Sequence, residues 1–194
     1  MSLFDSVIAR RASGANKWNR WPEDVLPMWV ADMDFAAAPP ILDALRTRID
    51  HGVLGYGAPQ AALKRAIVAH LERHYGWRVA PEAIVPLPGV VPGFNLALRA
   101  TCAAGDGVLV QTPVYPPMLK APDNWGLRRV DAPLTPAGLV EPASFRAAAA
   151  EAGRSGQGAF LLCNPHNPTG RVFRREELSA MAEQAQDWAD ALAH

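Results

Sequence analysis

Short apolar runs alternate with stretches of helical periodicity along the second half of the chain. The apolar runs predict β-strands at 83–87, 107–111 and 159–163, and Leu127-Arg128-Arg129-Val130 predicts a further strand at 127–130. The stretches after them predict helices at 92–104, about 115–124, 142–152 and 175–189. Strands that alternate with helices in this way predict an α/β fold with a mostly parallel sheet and right-handed crossovers.

The first 35 or so residues have no hydrophobic period and predict an extended arm. This arm contains three tryptophans and two prolines: Trp18, Trp21, Pro22, Pro27 and Trp29. Aromatic side chains in an irregular segment need a surface to bury against, which is either the body of the protein or a second subunit. Helical spacing resumes after the arm, with one helix that opens at Pro39 and another at about 60–75.

Composition and charge exclude several classes of partner. The 194 residues contain 19 basic and 19 acidic side chains, and this balance argues against a nucleic-acid or anionic-membrane surface. No apolar stretch approaches the roughly 18 residues that a membrane span needs, and the first residues lack the apolar core of a secretory signal. We therefore expect a cytoplasmic protein. The two cysteines, Cys102 and Cys163, have no CxxC-like neighbour, so we expect free thiols and no metal site.

The loop Pro88–Gly93 joins the first predicted strand to a helix. Backbone N–H groups at a helix N-terminus and the helix dipole together favour a bound phosphate. Gly89 would let a ligand approach the backbone closely. The loop is neither a GxGxxG fingerprint nor a Walker loop, and a plain strand-to-helix turn is the alternative interpretation.

Tyr115 follows the second predicted strand at the same edge of the sheet, between prolines at positions 113 and 116. An aromatic ring held rigidly at a sheet edge can stack on a flat heterocycle. A tyrosine that packs against its own helix is the alternative.

The sequence Asn164-Pro165-His166-Asn167-Pro168-Thr169-Gly170 follows the last predicted strand. Its two asparagines offer amide donors and acceptors, and the prolines fix their directions. A surface turn is the alternative, because Asn, Pro and Gly are common turn residues. Taken together, the three loops would hold a phosphate, stack on an aromatic ring and hydrogen-bond a ring substituent, which describes a pocket for pyridoxal 5'-phosphate (PLP).

Motifs along most of the chain, to about residue 183, resemble the fold-type I PLP-dependent enzymes of the class I/II aminotransferase superfamily. The resemblance is narrower to the cystathionine β-lyase/PatB/MalY branch, because of the sequence Trp-Val-Ala-Asp-Met-Asp-Phe. The matching segments are Met28–Phe35, Gly55–Gly57, Pro88–Pro92, Thr112–Tyr115 and Asn164–Gly170.

The resemblance implies a role for each motif residue. The backbone of Gly89, Val90 and Val91 would bind the cofactor phosphate, and Tyr115 would stack on the pyridine ring. Asn167 would hydrogen-bond the phenolic oxygen of the cofactor. Tyr56 would reach the phosphate of the neighbouring subunit in a homodimer, and the segment containing Trp29, Ala31 and Asp32 would border the amino-acid substrate. The resemblance gives His166 no role.

The family also has a Schiff-base lysine and an acidic partner for the pyridine nitrogen, both after the Asn-Pro motif. The lysines of this chain, Lys17, Lys64 and Lys120, all precede that motif and match no family position. Asp187 and Asp190 are in a helix-like tail and are not assigned as the acid. We therefore expect a truncated or frameshifted form of a fold-type I large domain, without catalytic residues and inactive by itself.

The expected organisation is an amino-terminal arm and small-domain segment, residues 1–50, followed by an incomplete PLP-binding domain, residues 51–194. The resemblance implies a parent activity that cleaves the C–S bond of cystathionine or cysteine conjugates to give a thiol, pyruvate and ammonia. An aminotransferase is the enzymatic alternative. A non-catalytic fragment or interaction partner is the other alternative.

Overall fold

A computed structural model describes residues 3–58, 60–155 and 157–191. The chain divides into two compact units, Met1–Trp77 and Arg78–His194. None of the described helices is both long and apolar enough to cross a membrane.

The second unit is built on a three-stranded parallel sheet. Its strands are β1 (Gly107–Thr112), β2 (Arg128–Pro133) and β3 (Gly158–Leu161), in the order β2-β1-β3. The register pairs Gly107 with Arg128 on one side and with Gly158 on the other. The predicted α/β fold with a parallel sheet is confirmed, and three of the four predicted strands are present in the described residues.

Helices cover both faces of this sheet. They are α4 (Val90–Thr101), α5 (Pro116–Lys120), α6 (Pro142–Ala152) and α7 (Arg175–Ala191). Successive side chains of a strand point to opposite faces. Accordingly, Leu109 of β1 packs with Phe145 of α6, whereas Val108 and Val110 pack with Leu98 of α4. The central strand is therefore buried over residues 107–111 and apolar up to Val110, as expected for a strand covered on both sides.

The prediction of a strand at 83–87 was wrong. Residues Pro81–Ala83 form a 3-10 helix, and no strand follows before α4. Pro86 and Pro88 are two positions apart, so both remove N–H donors from the same side of the extended segment. Apolar composition predicted a strand here, but Val85 and Leu87 are exposed in the structure.

The first unit consists of the arm and of helices α1 (Asn16–Asn19), α2 (Pro39–Asp50) and α3 (Ala61–Tyr75). None of the residues in these helices is buried. The arm is ordered by polar contacts, since the Arg11 guanidinium donates hydrogen bonds to the backbone oxygens of Trp18, Trp21, Pro22 and Glu23. These hydrogen bonds tie residues 18–23 of the arm to Arg11.

Candidate functional site

Three loops of the second unit meet the same edge of the sheet. Because β1 and β3 are parallel neighbours, the loops that follow Thr112 and Leu161 both begin at the carboxyl edge. Helix α4 connects to β1 through the short segment 102–106 and packs on it through Leu98, so it runs antiparallel to the strand. The N-terminus of α4 therefore lies at that same carboxyl edge, which is where open α/β sheets bind ligands.

The N-terminus of α4 offers free backbone donors. Gly89 precedes the helix with φ 147°, and no side chain caps the first turn. The first N–H groups of a helix have no intrahelical acceptor, which leaves those of Val90 and Val91 available. A Cβ built on Gly89 would meet only the Pro92 side chain, at 3.8 Å, so the approach to these donors is open. The arrangement fits a phosphate group.

Tyr115 lies directly before α5 and keeps its ring at the surface, 38% exposed. Its backbone oxygen accepts a hydrogen bond of 2.9 Å from the Met118 N–H, which fixes the start of the helix. The neighbouring side chains Val114 and Met118 are the buried ones. The ring of Tyr115 is thus accessible at the carboxyl edge, which fits a residue that stacks on a ligand.

The two asparagines of the Asn-Pro motif have different surroundings. The side-chain oxygen of Asn164 accepts a hydrogen bond of 3.1 Å from the Phe173 backbone N–H. The side chain of Asn167 is exposed, and within the described residues its amide group makes no hydrogen bond, although its backbone N–H donates to the Cys163 sulfur at 3.4 Å. Asn164 therefore holds the turn together, and Asn167 is the one free to bind a ligand.

His166, to which the family resemblance assigns no role, is 1% exposed at the centre of the turn. Its Nδ1 lies 3.0 Å from the Thr169 hydroxyl, and its ring packs edge-on against Phe173. Burial lowers the pKa of His166, and the backbone of Gln111 partly opposes this shift. His166 is therefore neutral near pH 7, and its Nε2 is buried without a hydrogen-bond partner among the described residues. No periodicity or motif in the sequence signals this burial.

The predicted substrate segment, Trp29–Asp32, lies in the first unit. The Asp32 carboxylate is paired with the Arg10 guanidinium at 2.8 Å. The Trp29 indole N–H donates to the backbone oxygen of Lys17 at 3.2 Å, and Ala31 is exposed. Trp29 and Asp32 are therefore held by other residues of the arm, Lys17 and Arg10. The sequence did not indicate these contacts.

Tyr56 lies in the loop between α2 and α3 of the first unit, with its side chain fully exposed. The lysines lie in three separate places: Lys17 in α1, Lys64 in α3 and Lys120 at the end of α5. The roles of Tyr56, Trp29, Ala31 and Asp32 stay predictions, as do the cofactor-binding roles of Gly89, Val90, Val91, Tyr115 and Asn167.

Comparison with known proteins identifies the family. The model of the aminotransferase class I and II family matches residues 23–188. The chain belongs to this family. One relative is cystathionine β-lyase PatB of Bacillus subtilis, which is 37% identical over 185 residues; the match covers 93% of this chain and 48% of PatB.

Solved structures of family members have the same architecture. The PLP-bound C–S lyase from Staphylococcus hominis superposes with a TM-score of 0.82 at 29% identity, over 96% of this chain and 49% of that one. Cystalysin from Treponema denticola, which contains a pyridoxal 5'-phosphate cofactor, gives 0.83 at 27% identity, over 95% and 48%. The fold-type I prediction is confirmed, and this chain spans about half the length of the curated relatives that it matches.

The described residues of the carboxyl edge fit part of a PLP site. The open helix N-terminus suits a phosphate, the exposed Tyr115 ring suits a planar ring, and the free Asn167 amide suits a ring oxygen. Each group matches one chemical feature of the cofactor.

Proposed function

We propose that this chain provides the phosphate-, ring- and oxygen-binding groups of a PLP-dependent C–S β-lyase. The observation that carries the proposal is the free amide of Asn167, at the same sheet edge as the open N-terminus of α4 and the exposed ring of Tyr115. The similarity to PatB and to the C–S lyase of S. hominis supports the choice of reaction.

The residues of the carboxyl edge would act by binding and orienting the cofactor. The N–H groups of Val90 and Val91 would donate to the phosphate, where the helix dipole adds favourable charge. Tyr115 would cover one face of the ring, and Asn167 would donate to its phenolic oxygen. Bound PLP supplies an electron sink that permits loss of the α-proton of an amino acid and of its β-thiol.

The proposed substrate is a sulfur-containing amino acid such as cystathionine or a cysteine conjugate, which would be cleaved to a thiol, pyruvate and ammonia. The segment Trp29–Asp32 would border this substrate. In a homodimer, Tyr56 would reach the phosphate of the cofactor bound to the neighbouring subunit, which its exposed position allows.

The three lysines of the chain all precede the Asn-Pro motif and match no family position for the covalent anchoring of PLP. Lys17 Nζ already donates to the Asp32 backbone oxygen and to the Asp34 carboxylate, both at 2.7 Å. We therefore propose that the 194 residues alone bind PLP without a covalent link and do not turn over substrate.

An aminotransferase is the second candidate, because the matching family model is that of class I and II aminotransferases. The two reactions leave different products. A lyase releases pyruvate and a thiol from cystathionine without an acceptor, whereas an aminotransferase consumes a keto acid and returns a new amino acid.

Titration of the purified chain with PLP tests the proposal. We expect saturable binding by absorbance, about tenfold weaker binding in Asn167→Ala, and no lysine modified after borohydride reduction and peptide mass spectrometry. Unsaturable binding, or binding that Asn167→Ala leaves unchanged, would refute the proposed site. Reduction that fixes PLP on one specific lysine, with pyruvate release from cystathionine, would refute the proposed inactivity of the chain alone.

A further inference from the structure

Lys17 contacts both ends of the segment Trp29–Asp32. At one end, its backbone oxygen accepts the hydrogen bond of 3.2 Å from the Trp29 indole N–H. At the other end, its ammonium group donates to the Asp32 backbone oxygen at 2.7 Å. The guanidinium of Arg20 covers the Trp29 ring at 4.6 Å from the ring centre. The segment is thus fixed by one residue at two points.

Asp34 holds the ammonium group of Lys17 in place. Its carboxylate accepts from Lys17 Nζ, from the Trp18 indole N–H and from the Arg10 guanidinium, each at 2.7 Å. These donors, led by Lys17, lower the pKa of Asp34 well below the usual range of a carboxyl group. The four residues Arg10, Lys17, Trp18 and Asp34 form a network that we call the amino-terminal clamp.

The clamp also pairs the negative charge of the segment, the Asp32 carboxylate, with a positive one. Arg10 pairs with the Asp32 carboxylate at 2.8 Å and donates to the Met33 backbone oxygen at 3.0 Å. Asp32 is therefore not a free negative charge beside the predicted substrate. The exposed residues of the segment are the apolar Trp29, Val30 and Ala31.

We infer that Lys17 is a positioning residue, which sets the segment Trp29–Asp32 for contact with the amino-acid substrate through the amino-terminal clamp. This role rests on the proposed function, because only the proposed function places a substrate beside the segment. The side chain of Lys17 is only 12% exposed and lies among oxygen acceptors, although this lysine matches no cofactor-binding position. A positioning role explains this environment.

The clamp itself is tested in the chain by amine acylation. Lys17 is engaged by two oxygen acceptors, whereas the Lys120 side chain is exposed at the end of α5. With a limiting amount of an acetylating succinimidyl ester, we expect Lys17 to react at least fivefold more slowly than Lys120. The change Asp34→Asn should bring the rate at Lys17 close to that at Lys120. Equal rates in the unmodified chain would overturn the inference.

The positioning role is tested with Lys17→Met and Lys17→Arg, and Lys120→Met is the matched control for loss of an ammonium group. Hydrogen exchange measured by mass spectrometry should become at least fivefold faster over residues 28–35 in Lys17→Met, without a change over α3 or β1. Lys17→Arg, which keeps the charge and the donors, should restore most of the protection. Unchanged exchange over 28–35 in Lys17→Met would overturn the inference.

A substrate readout separates positioning from simple stabilisation. In the PLP-loaded chain, we expect Lys17→Met to raise the cystathionine concentration that gives half of the spectral change at least threefold, with the affinity for PLP unchanged. An unchanged half-saturating concentration, despite faster exchange over 28–35, would leave Lys17 a structural role only and overturn the inference. If the chain binds no PLP, the proposed function fails, and the positioning role, which rests on it, fails with it; acylation and exchange then report the clamp alone.

Discussion

The side-chain oxygen of Asn164 accepts a hydrogen bond from the backbone N–H of Phe173, across the turn that ends β3. The change Asn164→Ala removes this bond and leaves the N–H of a segment whose Phe173 ring is buried without its acceptor. We expect a loss of about 1–2 kcal/mol in the free energy of unfolding, measured by urea denaturation. Asn167→Ala is the matched control, and its exposed side chain predicts a change within about 0.5 kcal/mol. Equal losses of unfolding free energy in the two variants would contradict the conclusion that Asn164 holds the turn together and Asn167 does not.

Gly107, at the start of β1, has no room for a side chain. A Cβ at this position would overlap the backbone of Ala152, at the end of α6, where no flexible group can yield. We expect Gly107→Ala to lower the free energy of unfolding by about 1–3 kcal/mol. Gly93→Ala is the control, because the new methyl would lie at an ordinary 3.7 Å from Leu87 and favour helix α4 by about 0.5–1 kcal/mol. An unchanged free energy of unfolding in Gly107→Ala would show that the Ala152 backbone does not lie against Gly107.

The burial of His166 predicts a pH dependence of stability. Because its pKa is lowered in the folded state, the unfolded chain binds the proton more readily below the usual histidine pKa of about 6.5. The contribution is complete above that value and is lost as the pH falls below it. Urea midpoints at pH 7.5 and 5.5 should therefore differ less in His166→Gln than in the unmodified chain.

The control for this measurement is His51→Gln, since His51 is exposed just after α2 and its ring Nδ1 lies 3.1 Å from the Val53 backbone oxygen. This variant should keep the pH dependence of the unmodified chain. If the urea midpoint of His166→Gln depended on pH as strongly as that of the unmodified chain, a group other than His166 would be responsible.

The exposed ring of Tyr115 predicts a graded effect on PLP binding. Tyr115→Phe keeps the aromatic face, so its PLP dissociation constant should stay within about twofold of the unmodified chain. Tyr115→Ala removes a stacking contribution of about 0.5–1.5 kcal/mol, which corresponds to about two- to tenfold weaker binding. Leu139→Ala, at another exposed position, should not change PLP affinity. Equal affinities of the Phe and Ala variants would exclude stacking at Tyr115.

Local patterns were sufficient for most of the elements of the second unit. In β2, the buried residues Val130 and Ala132 alternate with less buried positions. The apolar runs of β1 and β3 identified those two strands, since a strand between two helical layers is apolar whatever its neighbours. The same reasoning was wrong for 83–87, where prolines at 86 and 88 remove backbone donors on one side. The helix predicted at about 115–124 is also shorter and ends at Lys120, followed by the 3-10 helix Asp123–Trp125.

The sequence by itself determined the α/β class, the family and the three loops of the candidate site, because these depend on residue types at short spacings along the chain. Only the tertiary structure decided that Asn167 is free while Asn164 is not, that His166 is buried, and that Lys17 holds Trp29 and Asp32. Each of these facts depends on a partner beyond the local motif. Hydrogen bonds and burial depend on which segments the fold brings together, so they cannot be predicted from a local sequence pattern.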